Sequence, residues 1–120
     1  MAQTFTKNLL SASTDGLAIK IAATATPGTL VHTGPTTVAN YDEVYLELVN
    51  TSASIVTVTI EFGNATAPDS QRIYDIPGKT SIWAVQGLLL KGNATPKTVK
   101  VFAGTANVIT AYGYVHTITP

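Results

Sequence analysis

Residues 43–63 read EVYLELVNTSASIVTVTIEFG. Val44, Leu46 and Leu48 fall on one side of an extended chain, and so do Val56, Val58, Ile60 and Phe62. Apolar residues at every second position mark half-buried strands, because successive strand side chains point to opposite faces. The small polar residues 50–54 between the two runs have a length that suits a hairpin loop. The stretch is expected to form two adjacent strands, with Glu47 and Glu61 near each other on the solvent side as solubilising charges. That side is not uniformly polar: Tyr45, Val49 and Ile55 share it with Glu43, Glu47, Thr57, Thr59 and Glu61. Solvent, another sheet or another chain must meet it.

Working outward, strands are expected over residues 17–26, 29–33, 71–76, 80–85 (continued or closed by GLLLKG), 98–103 and 107–118. Turn signals separate them: Pro27-Gly28, Gly34-Pro35, Pro68-Asp69 and Pro77-Gly78. Gly113, inside the last run, is expected at a bulge or a close backbone approach. About eight short strands with a turn roughly every ten residues predict an all-β, single-domain antiparallel β-sandwich, jelly-roll-like in organisation. The domain is expected over residues 17–120. Residues 1–16 are weakly patterned, with Phe5, Leu9 and Leu10 as isolated apolar points. They are expected to be an N-terminal arm, draped over its own domain or reaching to a neighbour, and dispensable for the fold.

The totals agree with this class. Of 120 residues, 20 are Thr, 11 Val and 9 Ile, β-branched types that suit a pleated surface. Only 12% are charged and the net charge is zero, so nothing draws the chain to nucleic acid or anionic lipid. With no cysteine, disulfides and thiolate zinc sites are excluded. No run approaches the roughly 20 apolar residues of a membrane span, and the N-terminal stretch lacks the apolar core of a signal peptide. The three Asn-x-Ser/Thr triplets at Asn50, Asn64 and Asn93 are read as chance in a Thr-rich chain.

Catalytic patterns are thin. His32 and His116 each sit alone in a strand, without a second histidine at ligand spacing. No G-x-S-x-G and no phosphate-cradling glycine loop occurs. Asp69 alone falls short of a calcium site. No enzyme, metal or cofactor is expected. The aromatics point elsewhere: Tyr112, Tyr114 and His116 share one side of the last strand, and Tyr45 faces outward beside Glu43 and Glu47. Burial within the sandwich, a partner chain or stacking on sugar rings would each suit such a row.

Three longer stretches carry a family likeness. DEVYLELVNTSASIVTVTIEFGNATAPD (42–69), IPGKTSIWAVQGLLLKG (76–92) and VKVFAGTANVITAYGYVHTI (99–118), with ATATPGTLVHTG (23–34) upstream, resemble the small virion structural proteins of tailed bacteriophages. Among these, capsid decoration (cement) proteins are the nearest in character. The resemblance covers residues 18–118 and holds no catalytic signature. It implies a homo-oligomer, commonly a trimer, seated on the outside of the assembled head in the bacterial host cytoplasm and binding the major capsid protein across subunit boundaries. Phe5, Leu9, Leu10, Asp69 and Arg72 are the expected capsid contacts, and Tyr45, Tyr112 and Tyr114 the expected subunit contacts. The alternatives are a neck, tail or fibre-base component, or a carbohydrate-binding module.

Overall fold

The computed structural model describes residues 3–120. Nine strands form two antiparallel sheets: β1 (Thr4–Leu9), β2 (Ile19–Lys20), β3 (Thr29–Thr33), β4 (Tyr41–Asn50), β5 (Val56–Phe62), β6 (Gln71–Ile76), β7 (Ser81–Lys91), β8 (Thr98–Ala103) and β9 (Ile109–Thr119). One sheet has the order β1-β9-β4-β7, with β2 continuing the β1 position beside β9; the other runs β3-β8-β5-β6. Counting β1 and β2 as one interrupted strand, this is the eight-strand jelly roll, two four-stranded layers with the chain crossing between them.

The crossing corrects the hairpin expected over residues 43–63. β4 and β5 do not pair; they lie in different sheets, and their apolar sides meet across the core. Val44, Leu46 and Leu48 point in from one layer, and Val56, Val58 and Ile60 from the other, all buried. Asn50 builds the corner. Its side chain is fully buried and its Nδ2 donates to the carbonyls of Ser54 and Ile76, both at 2.8 Å. Its Oδ1 accepts from the Ser52 backbone N–H and hydroxyl. Glu61 is likewise corrected: it is 1% exposed. The segment before β3 folds over it, so that Thr26 Oγ1 and the Gly28 N–H donate to its two carboxylate oxygens.

Of the two courses expected for the N-terminal residues, they take the first and lie on their own domain, as a strand. β1 pairs with β9 from Thr4↔Thr119 to Leu9↔Tyr114. All six of its side chains are exposed, so backbone hydrogen bonds hold it. Beyond it, Leu10 turns into the core at 1% exposure. Leu10 is therefore no surface contact, and truncation through residue 12 would remove a core side chain, against the expectation that the arm is dispensable. The strand expected over 17–26 shrinks to Ile19–Lys20 because residues 22–28 leave the sheet to cover Glu61.

A polar chain, buried at its His32–Asp42 end, closes this side of the sandwich. Asn8 Nδ2 donates to Thr117 Oγ1 (3.0 Å), and Thr117 donates to Asp42 Oδ1 (2.9 Å). His32 Nε2 meets Asp42 Oδ2 at 2.6 Å, and the Ser11 N–H donates to His32 Nδ1 at 3.0 Å. An acceptor Nδ1 leaves the ring proton on Nε2, where it is given to Asp42. The pair thus joins β3 of one sheet to β4 of the other and ties in the chain after β1. On the opposite side Tyr74 Oη, from β6, donates to the Ala84 carbonyl of β7 at 2.8 Å. Gly113 is a close-approach site without a bulge: a Cβ there would lie 2.1 Å from the Tyr45 carbonyl oxygen.

Replacing His32 with Phe leaves the buried Asp42 oxygen and the Ser11 N–H without their shared partner. The expected loss is about 3 kcal/mol, read as a lower urea midpoint. Glu47→Gln, on the surface, is expected to stay within about 0.5 kcal/mol of the parent.

Candidate functional site

The pleat of β4 sends Glu43, Tyr45 and Glu47 away from the core, and cross-strand pairing sets what surrounds them. Three rows cross the outer face of the β1-β9-β4-β7 sheet. In the first, Lys7, His116, Glu43 and Leu89 are in register; in the second, Leu9, Tyr114, Tyr45 and Gln86; in the third, Tyr112, Glu47 and Trp83. β7 reaches this arrangement through two irregularities against β4, one between Val44 and Tyr45 and one between Leu46 and Glu47. Gly87 is the extra residue of the first and sits in the left-handed region at φ +85°, where glycine is the natural occupant.

At the centre the side chains hold one another. The rings of Tyr45 and Tyr114 stack at 4.8 Å between centroids and 14° between planes. His116 stands edge-on to both, at 5.5 Å. Lys7 Nζ lies 4.8 Å from the centre of the Tyr114 ring, where a cation is drawn to the negative π face. Glu43 Oε1 accepts from Tyr45 Oη at 3.0 Å and from His116 Nδ1 at 2.7 Å. The bond from His116, and secondarily that from Tyr45, holds the Glu43 carboxyl below its ordinary value of 4.5 against an opposing push from desolvation. The same bond to Glu43 raises the Tyr45 hydroxyl above 10.0.

Around this knot the face is open and apolar. Phe5 is 59% exposed, Leu9 51%, Leu89 53%, Trp83 46% and Tyr112 44%. A shallow cleft of about 310 Å³ lies between Tyr45, Tyr114, Trp83 and Gln86.

Of the residues singled out in the sequence, the fold brings Phe5, Leu9, Tyr45, Tyr112 and Tyr114 onto this one face. Tyr45 and Tyr114 spend much of their surface on each other, whereas Tyr112 stays open. Asp69 and Arg72 lie apart, with the other sheet. Asp69 sits in the exposed turn before β6, and Arg72 Nε donates to Tyr74 Oη at 3.1 Å. Phe5 and Asp69 do share one end of the sandwich. There residues 34–40, 63–70 and 92–97 cluster through the bonds Gly34 N to Lys97 O, Gly63 N to Thr98 O and Asn93 N to Pro35 O. Trp83, Gln86, Leu89 and Lys7 were not anticipated as part of the face, whereas Glu43 and Glu47 were expected beside Tyr45. For Gln86 and Leu89 the signal was Gly87, a glycine inside the strand that marks the break in alternation between them.

Because folding lowers the proton affinity of Glu43, its contribution to stability is complete above about pH 5 and drains away as pH falls through the depressed value. The urea midpoint is expected to drop between about pH 5 and pH 3 more in the parent than in Glu43→Gln. Equal slopes in the two proteins would show that this carboxylate contributes nothing.

No family model, curated protein or solved structure matches the chain.

Proposed function

We propose that this protein works by adhesion, as a decoration protein on the outside of a tailed-bacteriophage head, where it forms homo-oligomers, taken to be trimers, and binds the major capsid protein. The observation that carries the reading is the open apolar margin along β1. Phe5 and Leu9 project from a strand with no buried side chain, next to exposed Tyr112 on the neighbouring strand. A water-facing strand gains nothing from such residues, whereas a strand that meets a partner does. The resemblance of residues 18–118 to phage virion proteins supplies the partner. The jelly roll is compatible, since capsid domains are among its hosts, but fold by itself assigns no function.

The proposal distributes the contacts. Phe5 and Leu9 meet the shell together with the loop end that carries Asp69, and Tyr112 meets another copy. Several weak contacts per assembly, engaged together, then give firm attachment. Leu10 has no part in this, and Arg72 contributes only as an exposed edge charge.

The test is occupancy on purified particles. Phe5→Asp and Leu9→Asp, which spare the core, are each expected to weaken binding about tenfold or more, while light scattering of the parent reports a trimer. Copy number separates shell from tail: hundreds of copies per particle fit decoration. A parent protein that stays monomeric and never associates with particles would end this reading.

A further inference from the structure

We infer that the cleft between β4 and β7 is a binding site for a neutral sugar ring. The walls are set before any ligand arrives. One face of Tyr45 is covered by Tyr114, whose own ring is also engaged by Lys7, and the Tyr45 hydroxyl is tied to Glu43. A pre-formed wall spares a ligand the cost of ordering side chains. Opposite stands Trp83, 46% exposed, whose indole N–H has no hydrogen-bond partner among the described residues. The rim beside Tyr45 stays low because position 87 carries no side chain; a Cβ there would come within 3.3 Å of the Tyr45 hydroxyl.

The chemistry of the lining selects the ligand. A pyranose presents a patch of weakly positive C–H groups, which stacks on the negative face of an aromatic ring. It also presents a rim of vicinal hydroxyls, each a donor and an acceptor. Two groups are available for that rim. Gln86 offers an amide whose one bond among the described residues is a long 3.4 Å contact to the Trp83 carbonyl. Glu47, in register with Trp83 on the adjacent strand, offers two carboxylate oxygens with no partner among the described residues. An anion is disfavoured, because the Glu47 carboxylate is in register beside Trp83 and Lys7 is engaged on Tyr114. Stacked nucleic-acid bases would need a cationic track along the backbone, and Glu43 and Glu47 are of the wrong sign. A volume of about 310 Å³, at the small end of ligand cavities, suits one ring of a longer chain. This inference does not depend on the virion reading, and the isolated protein tests it.

Trp83 is the chain's single tryptophan, so its emission reports on the cleft directly. The full chain is titrated with neutral tetrasaccharides of glucose, galactose, mannose and N-acetylglucosamine in α and β linkages. At least one is expected to shift the emission saturably, with a Kd below about 10 mM. Gln86→Ala and Glu47→Gln, both on the surface, are expected to weaken it at least fivefold, with Phe5→Ala unchanged. Trp83→Ala, checked for folding by circular dichroism and titrated by calorimetry, is expected to abolish it. No saturable response across the panel overturns the inference. So does a light-scattering result in which Trp83→Ala dissociates an oligomer while no sugar binds, since the cleft would then belong to a second copy. Capsid occupancy is read separately with the Phe5 and Leu9 variants, so either proposal can fail alone.

Discussion

The pleat of β4 is the constraint on which the rest of the molecule depends. This strand is hydrogen-bonded on both sides, to β9 and to β7, and its side chains strictly alternate between core and outer face. Asp42 and Glu43 are neighbours in sequence, yet the first is buried against His32 and the second meets His116 on the other side. A slip of one residue would bury Glu43, Tyr45 and Glu47 and expose Val44, Leu46 and Leu48. The register is pinned at both ends, by Asp42 in the His32–Thr117 chain and by Asn50 at the corner. Between them, Gly113 lets β9 approach the Tyr45 carbonyl where any side chain would collide.

The two outer faces of the sandwich are treated differently. On the β3-β8-β5-β6 sheet the chain covers part of its own surface: Thr26 and Gly28 lie over Glu61, Thr59 is buried, and Thr57 donates to Asp75 at 2.6 Å. Among the described residues, no such segment crosses the face built by Tyr45, Tyr114 and Trp83. Its polar groups are concentrated in the knot of Lys7, Glu43 and His116, which fixes the tyrosines without shielding Phe5, Leu9, Leu89 or Trp83. The low overall charge of the chain is thus felt unequally, and the uncovered face is the place where an external partner gains most from burial.

Much of this was readable from residue order. β3, β6 and β8 lie where alternation and turn residues put them, because a half-buried strand writes its own period. The 43–63 corner was misread because that period is the same whether two strands pair side by side or face each other across a core. A five-residue link spans the roughly 10 Å between layers as readily as it closes a hairpin. β1 left no trace because none of its side chains is buried; its pairing is made by backbone groups, which the sequence does not display. The partnerships His32–Asp42 and His116–Glu43 join positions 10 and 73 residues apart, and no spacing rule reaches the second. Gln86 was hidden by the irregularity of β7 between Trp83 and Val85, which puts it on the face of Trp83 at a spacing of three.

The stacked tyrosines also decide how one face could serve two roles. They sit on the two middle strands, with β1 on one flank and β7 on the other. At about 4.8 Å between neighbouring strands, β1 and β7 lie roughly 14 Å apart across the sheet. A partner seated over Phe5 and Leu9 meets the Lys7–Tyr114 side of the stack and leaves the Trp83 side open. Because Tyr45 and Tyr114 are held by each other, by Glu43 and by Lys7, occupying one flank need not rearrange the other. The knot is then a divider: Tyr45 and Tyr114 cover part of each other's surface and separate the Phe5–Leu9 margin from the cleft beside Trp83.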